Sequence, residues 1–269
     1  MMEIVILTSL GLAAGLFGGL LGIGGSLIII PGLVLAFGEN HHLYQASAMI
    51  CNFFIAISSV FVHRRANSLA IPVLLWMSPA AMAGILAGVA LSNISLFAGK
   101  NGYMLARAFG AFLVYVVIYN CWKLYNPTPR HLMHQPSGKL STIDRICSAF
   151  TGLATGLGAG MLGIGAGTIS TPMQQLLLRT PLKNAMSNSV AVIVSIAWLG
   201  AIYKNWTLSF HGQSVVESLR IAALIVPTGV LGGYIGGRLM HIFPKNLVRI
   251  LFILVAALGA IKLLTVAPR

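Results

Sequence analysis

The chain has 269 residues, of which 57% are hydrophobic and only 8% are charged, whereas about 25% of the residues in a typical soluble domain are charged. Its net charge is +13, but the basic residues are spread over the predicted loops instead of being concentrated on one arm or helix face. This pattern argues against a nucleic-acid-binding protein and is typical of membrane-protein loops. None of the four acidic residues lies within the middle of an apolar segment. Because proton- and sodium-coupled carriers often place a carboxylate there, the composition argues against a cation carrier.

Eight apolar regions follow one another along the chain, and several are long enough to span a bilayer, which takes about 20 residues. They cover approximately residues 4–38, 43–63, 70–98, 103–123, 144–178, 185–203, 216–240 and 246–266. The N-terminal segment lacks the basic start of a signal peptide, so we expect it to belong to the mature protein. The sequence therefore predicts an all-α polytopic membrane protein.

The first region contains the stretch GGLLGIGGSLIIIP, which runs from Gly18 to Pro31. As one straight helix this region would measure about 50 Å, whereas the hydrocarbon core is about 30 Å thick. Glycine tolerates backbone conformations that other residues resist, and proline disrupts a helix. We therefore expect the helix to break near Gly24 and Gly25 and a second helix to begin near Ser26.

The fifth region has the same excess length and a near-copy of this stretch, AGMLGIGAGTISTP, from Ala159 to Pro172. The same argument predicts a second break there. The helix that follows it would begin near Gly165, Gly167 and Thr168. A helix that begins inside the membrane presents free N–H groups and a positive partial charge, which favour an anion.

The two halves of the chain resemble each other beyond this motif. LYQA at residues 43–46 matches LKNA at residues 182–185, and PAAMAGILAG at residues 79–88 matches PTGVLGGYIG at residues 227–236. Internal repeats are typical of transporters, with the substrate site near the midplane between them. We expect the small residues within PAAMAGILAG and PTGVLGGYIG, which include Gly84, Gly88, Gly232 and Gly236, to serve close helix packing.

The sequence thus predicts two homologous repeats of four segments each. The first covers residues 1–124, a connector covers residues 125–142, and the second repeat covers residues 143–269. The basic residues follow the positive-inside rule better if the first and fifth regions enter and leave by the same face. That arrangement makes the repeats inverted and places the connector in the cytoplasm.

Two facing helix N-termini could hold a small oxyanion, with hydroxyl and amide side chains of the adjoining segments around it. An interhelical hydrogen bond or a helix cap is the alternative role for each of these polar side chains. The candidate substrate-binding residues are Gly24, Gly25, Ser26, Asn52, Gly165, Gly167, Thr168, Thr171, Gln174, Gln175, Asn188 and Ser189.

Other chemistries find less support in the sequence. His41, His42 and His63 offer a metal-ion carrier as an alternative, but a metal site needs more convergent ligands, and we expect these histidines to lie in loops or at the membrane interface. No HExxH motif, paired carboxylates or plausible GxSxG setting is present, so we expect neither an enzyme nor a cofactor.

The paired motifs GLFGGLLGIGGSLIIIP and GLGAGMLGIGAGTISTP resemble those of the TauE/SafE family of sulfite and organosulfonate exporters. The duplicated layout covers nearly the whole chain. Residues 185–189, AMSNS, occupy the place where family members carry a step like AVGTS, and residues 46–50 do so more loosely, with Met49 and Ile50 where hydroxyls are usual. The resemblance implies a multi-pass exporter of small sulfur-containing anions in the bacterial inner membrane.

An anion that leaves the cytoplasm moves down an inside-negative potential, so export needs no coupling ion. The expected partners are therefore a small anionic substrate and membrane lipid, and a homo-oligomer is compatible with the sequence. An anion channel is the second alternative, since it would share the half-helix site without alternating access.

Overall fold

The computed structural model describes residues 2–38, 40–94, 102–126, 140–163 and 165–265. Within these residues the chain is helical and contains no strand. The helices are α1 (Met2–Leu21), α2 (Ser26–Phe37), α3 (His41–Arg65), α4 (Ile71–Ser92), α5 (Gly102–Tyr125), α6 (Thr142–Leu162), α7 (Gly167–Leu177), α8 (Leu182–Thr207), a short 3-10 helix (Leu208–His211), α9 (Val215–Ile242) and α10 (Lys245–Leu264).

Among the described residues, α1, α3, α4, α8 and α9 are long and apolar enough to cross a membrane. The predicted all-α polytopic membrane protein is therefore confirmed. Most of the predicted connector, at residues 127–139, lies outside the described residues.

The predicted breaks in the first and fifth regions are confirmed. Four residues lie between the end of α1 and the start of α2, and four also lie between α6 and α7. Gly22, Gly24 and Gly163 have φ values of +67°, +77° and +71°. Only glycine adopts this left-handed conformation at no steric cost, so the glycines let the chain turn between the two helices of each pair.

Each half of the chain packs its first helix against a helix of the other half. α6 lies along α4, and a Cβ atom added to Gly84 or Gly88 would collide with the carbonyl oxygen of Leu153 or Leu157. Backbones this close leave no room for a side chain at these positions. The predicted packing role of Gly84 and Gly88 is confirmed.

The contact of α1 with α9 follows the same principle. A Cβ atom on Gly232 would collide with the carbonyl oxygen of Leu12, and one on Gly236 would collide with that of Leu16. The packing role predicted for these two glycines is also confirmed. The two halves are consequently joined through two seams of direct backbone contact.

α3 and α8 occupy the centre of the molecule, where they pack against each other and also against α9 and α4 respectively. α5 and α10 form a separate pair. The five α-helices of the first half have 20, 12, 25, 22 and 24 residues. Those of the second half have 21, 11, 26, 28 and 20 residues. The repeat and its inversion remain predictions.

Candidate functional site

The two helix breaks touch each other through their backbones. A Cβ atom on Gly165 would collide with the carbonyl oxygen of Ile23, and one on Gly167 would collide with that of Gly22. The second break therefore needs glycine at both positions, because its backbone lies directly against that of the first break. The crossing brings the start of α2 and the start of α7 to one buried place.

Asn52 of α3 caps the N-terminus of α2. Its Oδ1 accepts a hydrogen bond from the backbone N–H of Ser26 at 3.0 Å, and its Nδ2 donates to the Ser26 hydroxyl at 3.0 Å. The N-cap position itself is Gly25, which has no side chain that could cap the helix. A helix N-terminus usually takes its cap from the adjacent sequence, whereas here a neighbouring helix provides it.

α7 begins without a side-chain cap, because Ala166 occupies its N-cap position. The hydroxyl of Thr168 donates back to the carbonyl oxygen of Gly165 at 3.0 Å. The first turn of α7 is therefore the less occupied of the two helix starts at the crossing.

A network of hydroxyl and amide groups joins α7 to α8. Gln174 Nε2 donates to the Ser170 hydroxyl at 2.8 Å, and Gln174 Oε1 accepts from Asn188 Nδ2 at 2.9 Å. Ser189 donates to Ser170 at 2.9 Å and lies 3.1 Å from the Thr171 hydroxyl. All five side chains are buried. Four sequence-predicted residues, Thr171, Gln174, Asn188 and Ser189, thus form one hydrogen-bonded cluster with Ser170.

The same network reaches α4. Asn188 Oδ1 accepts a hydrogen bond from the backbone N–H of Ala70, just before α4, at 2.8 Å. Asn188 therefore links α8 to both α7 and the start of α4. These bonds are of the interhelical kind that the sequence offered as the alternative role for polar side chains, and they hold the cluster together in this conformation.

A small cavity lies beside the crossing of the breaks. It is lined by Asn52, Gly165, Ala166 and apolar side chains that include Met49 and Ile193, and it encloses about 10 Å³. That is roughly the space that one water molecule needs. A larger anion requires the helices around it to separate.

Gln175 does not join this group. Its Oε1 accepts from Arg249 Nη2 of α10 at 3.4 Å, so its side chain contacts a different neighbour of α7 from that of Gln174. Eleven of the twelve predicted residues thus lie at the crossing or in the α7–α8 network, and Gln175 lies apart from them.

A buried lysine near the end of α8 is not among the residues predicted from the sequence. Lys204 has no exposed surface, and its Nζ contacts His42 Nδ1 at 2.9 Å, the Ser92 hydroxyl at 2.9 Å and Asn93 Oδ1 at 3.1 Å. His41 and His42 do not lie in loops, since both are buried in the first turn of α3, while the interfacial position expected for them stays a prediction. One lysine near the end of an apolar segment gives no sequence signal of such a cluster.

His63 does not lie in a loop either, since it belongs to the last turn of α3. It is fully buried, and its Nδ1 lies 3.0 Å from His241 Nε2 of α9. The two residues are 178 positions apart, so no local motif could reveal the pair. Within the described ranges, no three residues of His, Cys, Asp and Glu lie close enough together to hold a metal ion.

The chain matches the model of the family described as "Sulfite exporter TauE/SafE" over residues 7–263. It is 22% identical to the probable membrane transporter protein YdhB of Bacillus subtilis, with 93% of this chain and 96% of YdhB covered. It is 24% identical to the probable membrane transporter protein YunE of the same species, with 96% of each chain covered. No solved structure matches the chain.

A further relative is longer than this protein. The chain is 26% identical to the probable membrane transporter protein MamO of Paramagnetospirillum magneticum, and the match covers 98% of this chain but only 45% of MamO. The chain thus spans about half the length of that relative. The family match extends over nearly all the described helices, including both breaks and the α7–α8 network. The protein is therefore a multi-pass membrane protein that belongs to the TauE/SafE family of membrane transporters.

Proposed function

We propose that this protein exports a small sulfur-containing anion, such as sulfite or a sulfonate, across the bacterial inner membrane by alternating access. The observation that supports this proposal best is the cavity beside the crossing of the breaks. It lies between the amide of Asn52 and the N-cap position of α7. The family name supports the class of substrate.

The starts of α2 and α7 give this place a positive potential without a lysine or arginine. Each helix N-terminus carries about half a positive charge, and each stabilises a nearby anion by about 0.3–1 kcal/mol, or up to about 2 kcal/mol where it is partly buried. Two such helix ends at one crossing attract an anion and also allow its release. A fixed guanidinium at the same point would bind the anion more tightly and slow its exit.

The α7–α8 network would exchange its internal hydrogen bonds for bonds to the anion. Gln174 and Asn188 carry N–H donors, while Thr171 and Ser189 carry hydroxyls that donate or accept as required. In the present conformation these groups satisfy one another, and the cavity has room for about one water molecule. We interpret this conformation as the occluded state of the transport cycle.

Export of a monoanion under an inside-negative potential gains about 2.3 kcal/mol per 100 mV. This free energy is sufficient to drive outward movement without a coupling ion. The prediction that residues 1–124 and 143–269 form two inverted repeats fits the same mechanism, because the crossing would lie between them.

The decisive experiment uses Asn52→Asp in proteoliposomes loaded with sulfite. The aspartate keeps the acceptor for the backbone N–H of Ser26, so the cap of α2 survives, but its negative charge faces the proposed anion position. We expect wild-type protein to show saturable sulfite counterflow and Asn52→Asp to reduce its rate at least about tenfold.

Asn67→Asp provides the matched control. Asn67 is exposed and has a φ value of +50°, a conformation that aspartate also tolerates. Its counterflow rate should equal that of the wild type. Sulfite flux that does not saturate and shows no counterflow would instead identify an anion channel, and the absence of any sulfite flux would refute the proposed substrate.

A further inference from the structure

A buried basic cluster lies where α5, α7 and α10 meet. We call Arg249, Lys123, Gln175 and Tyr119 the Arg249 cluster. Arg249 Nη1 donates to the backbone carbonyl oxygen of Lys123 at 2.7 Å, and Nη2 donates to Gln175 Oε1 at 3.4 Å. Arg249, Lys123 and Gln175 are 8%, 7% and 5% exposed. Two cationic residues are thus neighbours here, and the Nζ of Lys123 lies over the ring of Trp122, 5.2 Å from its centroid.

The cluster contains more hydrogen-bond donors than acceptors. Arg249 Nε and Gln175 Nε2 are both buried and have no hydrogen-bond partner. Both atoms can only donate. The hydroxyl of Tyr119 donates to the carbonyl oxygen of Pro172 at 3.4 Å, which keeps that hydroxyl within the cluster. Buried donors without a partner are unfavourable, so we expect a hydrogen-bond acceptor next to Arg249 Nε and Gln175 Nε2.

No carboxylate of the described residues provides that acceptor. Glu3 pairs with Arg220, Asp144 lies in the first turn of α6, and Glu217 is exposed in the first turn of α9. Glu39 is outside the described residues. A buried guanidinium without a counter-charge is costly, and an anion would both neutralise it and accept from the unpaired donors.

We propose that the Arg249 cluster binds an oxyanion, either a sulfite or sulfonate group or a phosphate group. The planar guanidinium offers Nε and Nη2 as a fork that matches two oxygens of such an anion. Gln175 Nε2 donates a third hydrogen bond, and the ammonium of Lys123 adds a second positive charge. None of the residues at the crossing of the breaks belongs to this site.

The position of the cluster admits two sources of the oxyanion. Gln175 lies eight residues after Gly167, which places it about 12 Å along α7 from the break. A transported anion would reach the cluster on its way to or from the crossing. The phosphate of an anionic lipid would reach it from the bilayer, because basic pockets between membrane helices bind such headgroups. If the oxyanion is a transported anion, this inference rests on the proposed function. If it is a lipid phosphate, it does not.

Thermal unfolding of the purified full-length protein in a neutral detergent tests the site, since a ligand that binds the folded state raises its melting temperature. Sodium sulfite and sodium phosphate are titrated at constant ionic strength against sodium chloride. In a second arm, phosphatidylglycerol is titrated against phosphatidylcholine in mixed micelles. The variants are Arg249→Gln and Lys123→Gln. Arg238→Gln is the control, because Arg238 is an exposed arginine of α9 that packs on Tyr234.

We expect at least one oxyanion to raise the melting temperature of the wild type and of Arg238→Gln alike. The half-saturating concentration should increase by about tenfold or more in Arg249→Gln and in Lys123→Gln. A response to sulfite or phosphate assigns the site to a free anion. A response to phosphatidylglycerol alone assigns it to a lipid headgroup.

Equal half-saturating concentrations in the wild type and both variants would overturn the proposal, as would the absence of any response in both arms. If Arg249→Gln fails to fold, Lys123→Gln decides the question, because the backbone carbonyl of residue 123 still holds Arg249. Sulfite counterflow is measured in parallel on the wild type. A protein that shows no counterflow but keeps its response to phosphate or phosphatidylglycerol refutes the proposed function and leaves this site in place.

Discussion

The two half-helices that begin at the crossing have the same place in the order of helices but very different side chains. α2 reads SLIIIPGLVLAF and has Ser26 as its one polar side chain, whereas α7 reads GTISTPMQQLL and has five. α2 lies in the large apolar core with α1, α3 and α10, and its serine is held by Asn52. α7 instead faces the hydrogen-bonding side chains of α8.

This difference shows that the break and the polar lining are separate properties of the sequence. Both halves keep glycines at the break, but only in the second half would a side chain on them collide with the backbone of the other break. The first half places one hydroxyl, that of Ser26, after its glycines, whereas the second half places five hydroxyl and amide side chains there. We therefore interpret α2 as a wall of the site and α7 as the helix that selects the substrate.

The largest expected effect concerns the contact between the breaks, where the two halves should differ. In Gly165→Ala the new methyl group would meet the carbonyl oxygen of Ile23, whereas in Gly25→Ala it would meet the mobile ends of Ile55 and Ile29. We expect Gly165→Ala to lower the free energy of unfolding by about 3 kcal/mol or more, and Gly25→Ala by about 1 kcal/mol. Unfolding titrations in mixed detergent micelles measure both values. Equal losses would show that the two breaks are equally tolerant.

A medium effect is expected when one amide is removed from each half. Gln174→Leu leaves Asn188 Nδ2 without its acceptor and breaks the bond to Ser170, so unfolding should become easier by about 2–3 kcal/mol. Asn52→Leu removes the cap from Ser26 and should cost about 1–2 kcal/mol. Melting temperatures of the two variants, measured side by side, rank them. A larger loss in Asn52→Leu would contradict the structural role assigned to the α7–α8 network.

The smallest effect is expected from single hydroxyls. Thr171→Val removes the contact with Ser189 and should cost about 1 kcal/mol. Ser26→Ala loses the bond from Asn52 Nδ2 but keeps its backbone N–H bonded to Asn52 Oδ1, so about 0.5 kcal/mol is expected. Melting temperatures of the two variants, measured in replicate, determine which of the two costs is larger. A cost for Ser26→Ala that equals or exceeds that of Thr171→Val would remove the distinction between the half-helices.

The helix breaks could be predicted because they follow from the length of the apolar region and the thickness of the bilayer. A region of about 35 apolar residues is too long for a bilayer, and glycines mark where it turns. The packing of Gly84 and Gly88 could be predicted for a similar reason, since small residues four apart form a flat face on a helix. Both the breaks and the packing positions follow from residue spacing alone, without knowledge of the neighbouring helix.

The partners of single polar side chains could not be predicted in this way. Gln174 and Gln175 are adjacent in sequence, but successive residues of a helix point about 100° apart, so one joins the α7–α8 network and the other contacts Arg249. Both glutamines were predicted to belong to one site because the sequence does not show which neighbours surround a helix. Lys204 was missed for the same reason, since its partners come from the start of α3 and the end of α4, both more than 100 residues earlier in the chain.

The seams between the halves have a consequence for synthesis on the ribosome. Gly11 and Gly15 of α1 fit against the backbone of α9, roughly 210 residues later in the chain. At about 5–20 residues per second, α1 waits about 10–40 s for its partner. During that interval its glycine-lined face is open to lipid or to an insertion chaperone. A truncated chain that ends before α9 would keep this face of α1 exposed. Cellular quality control could recognise such a chain by the exposed glycines.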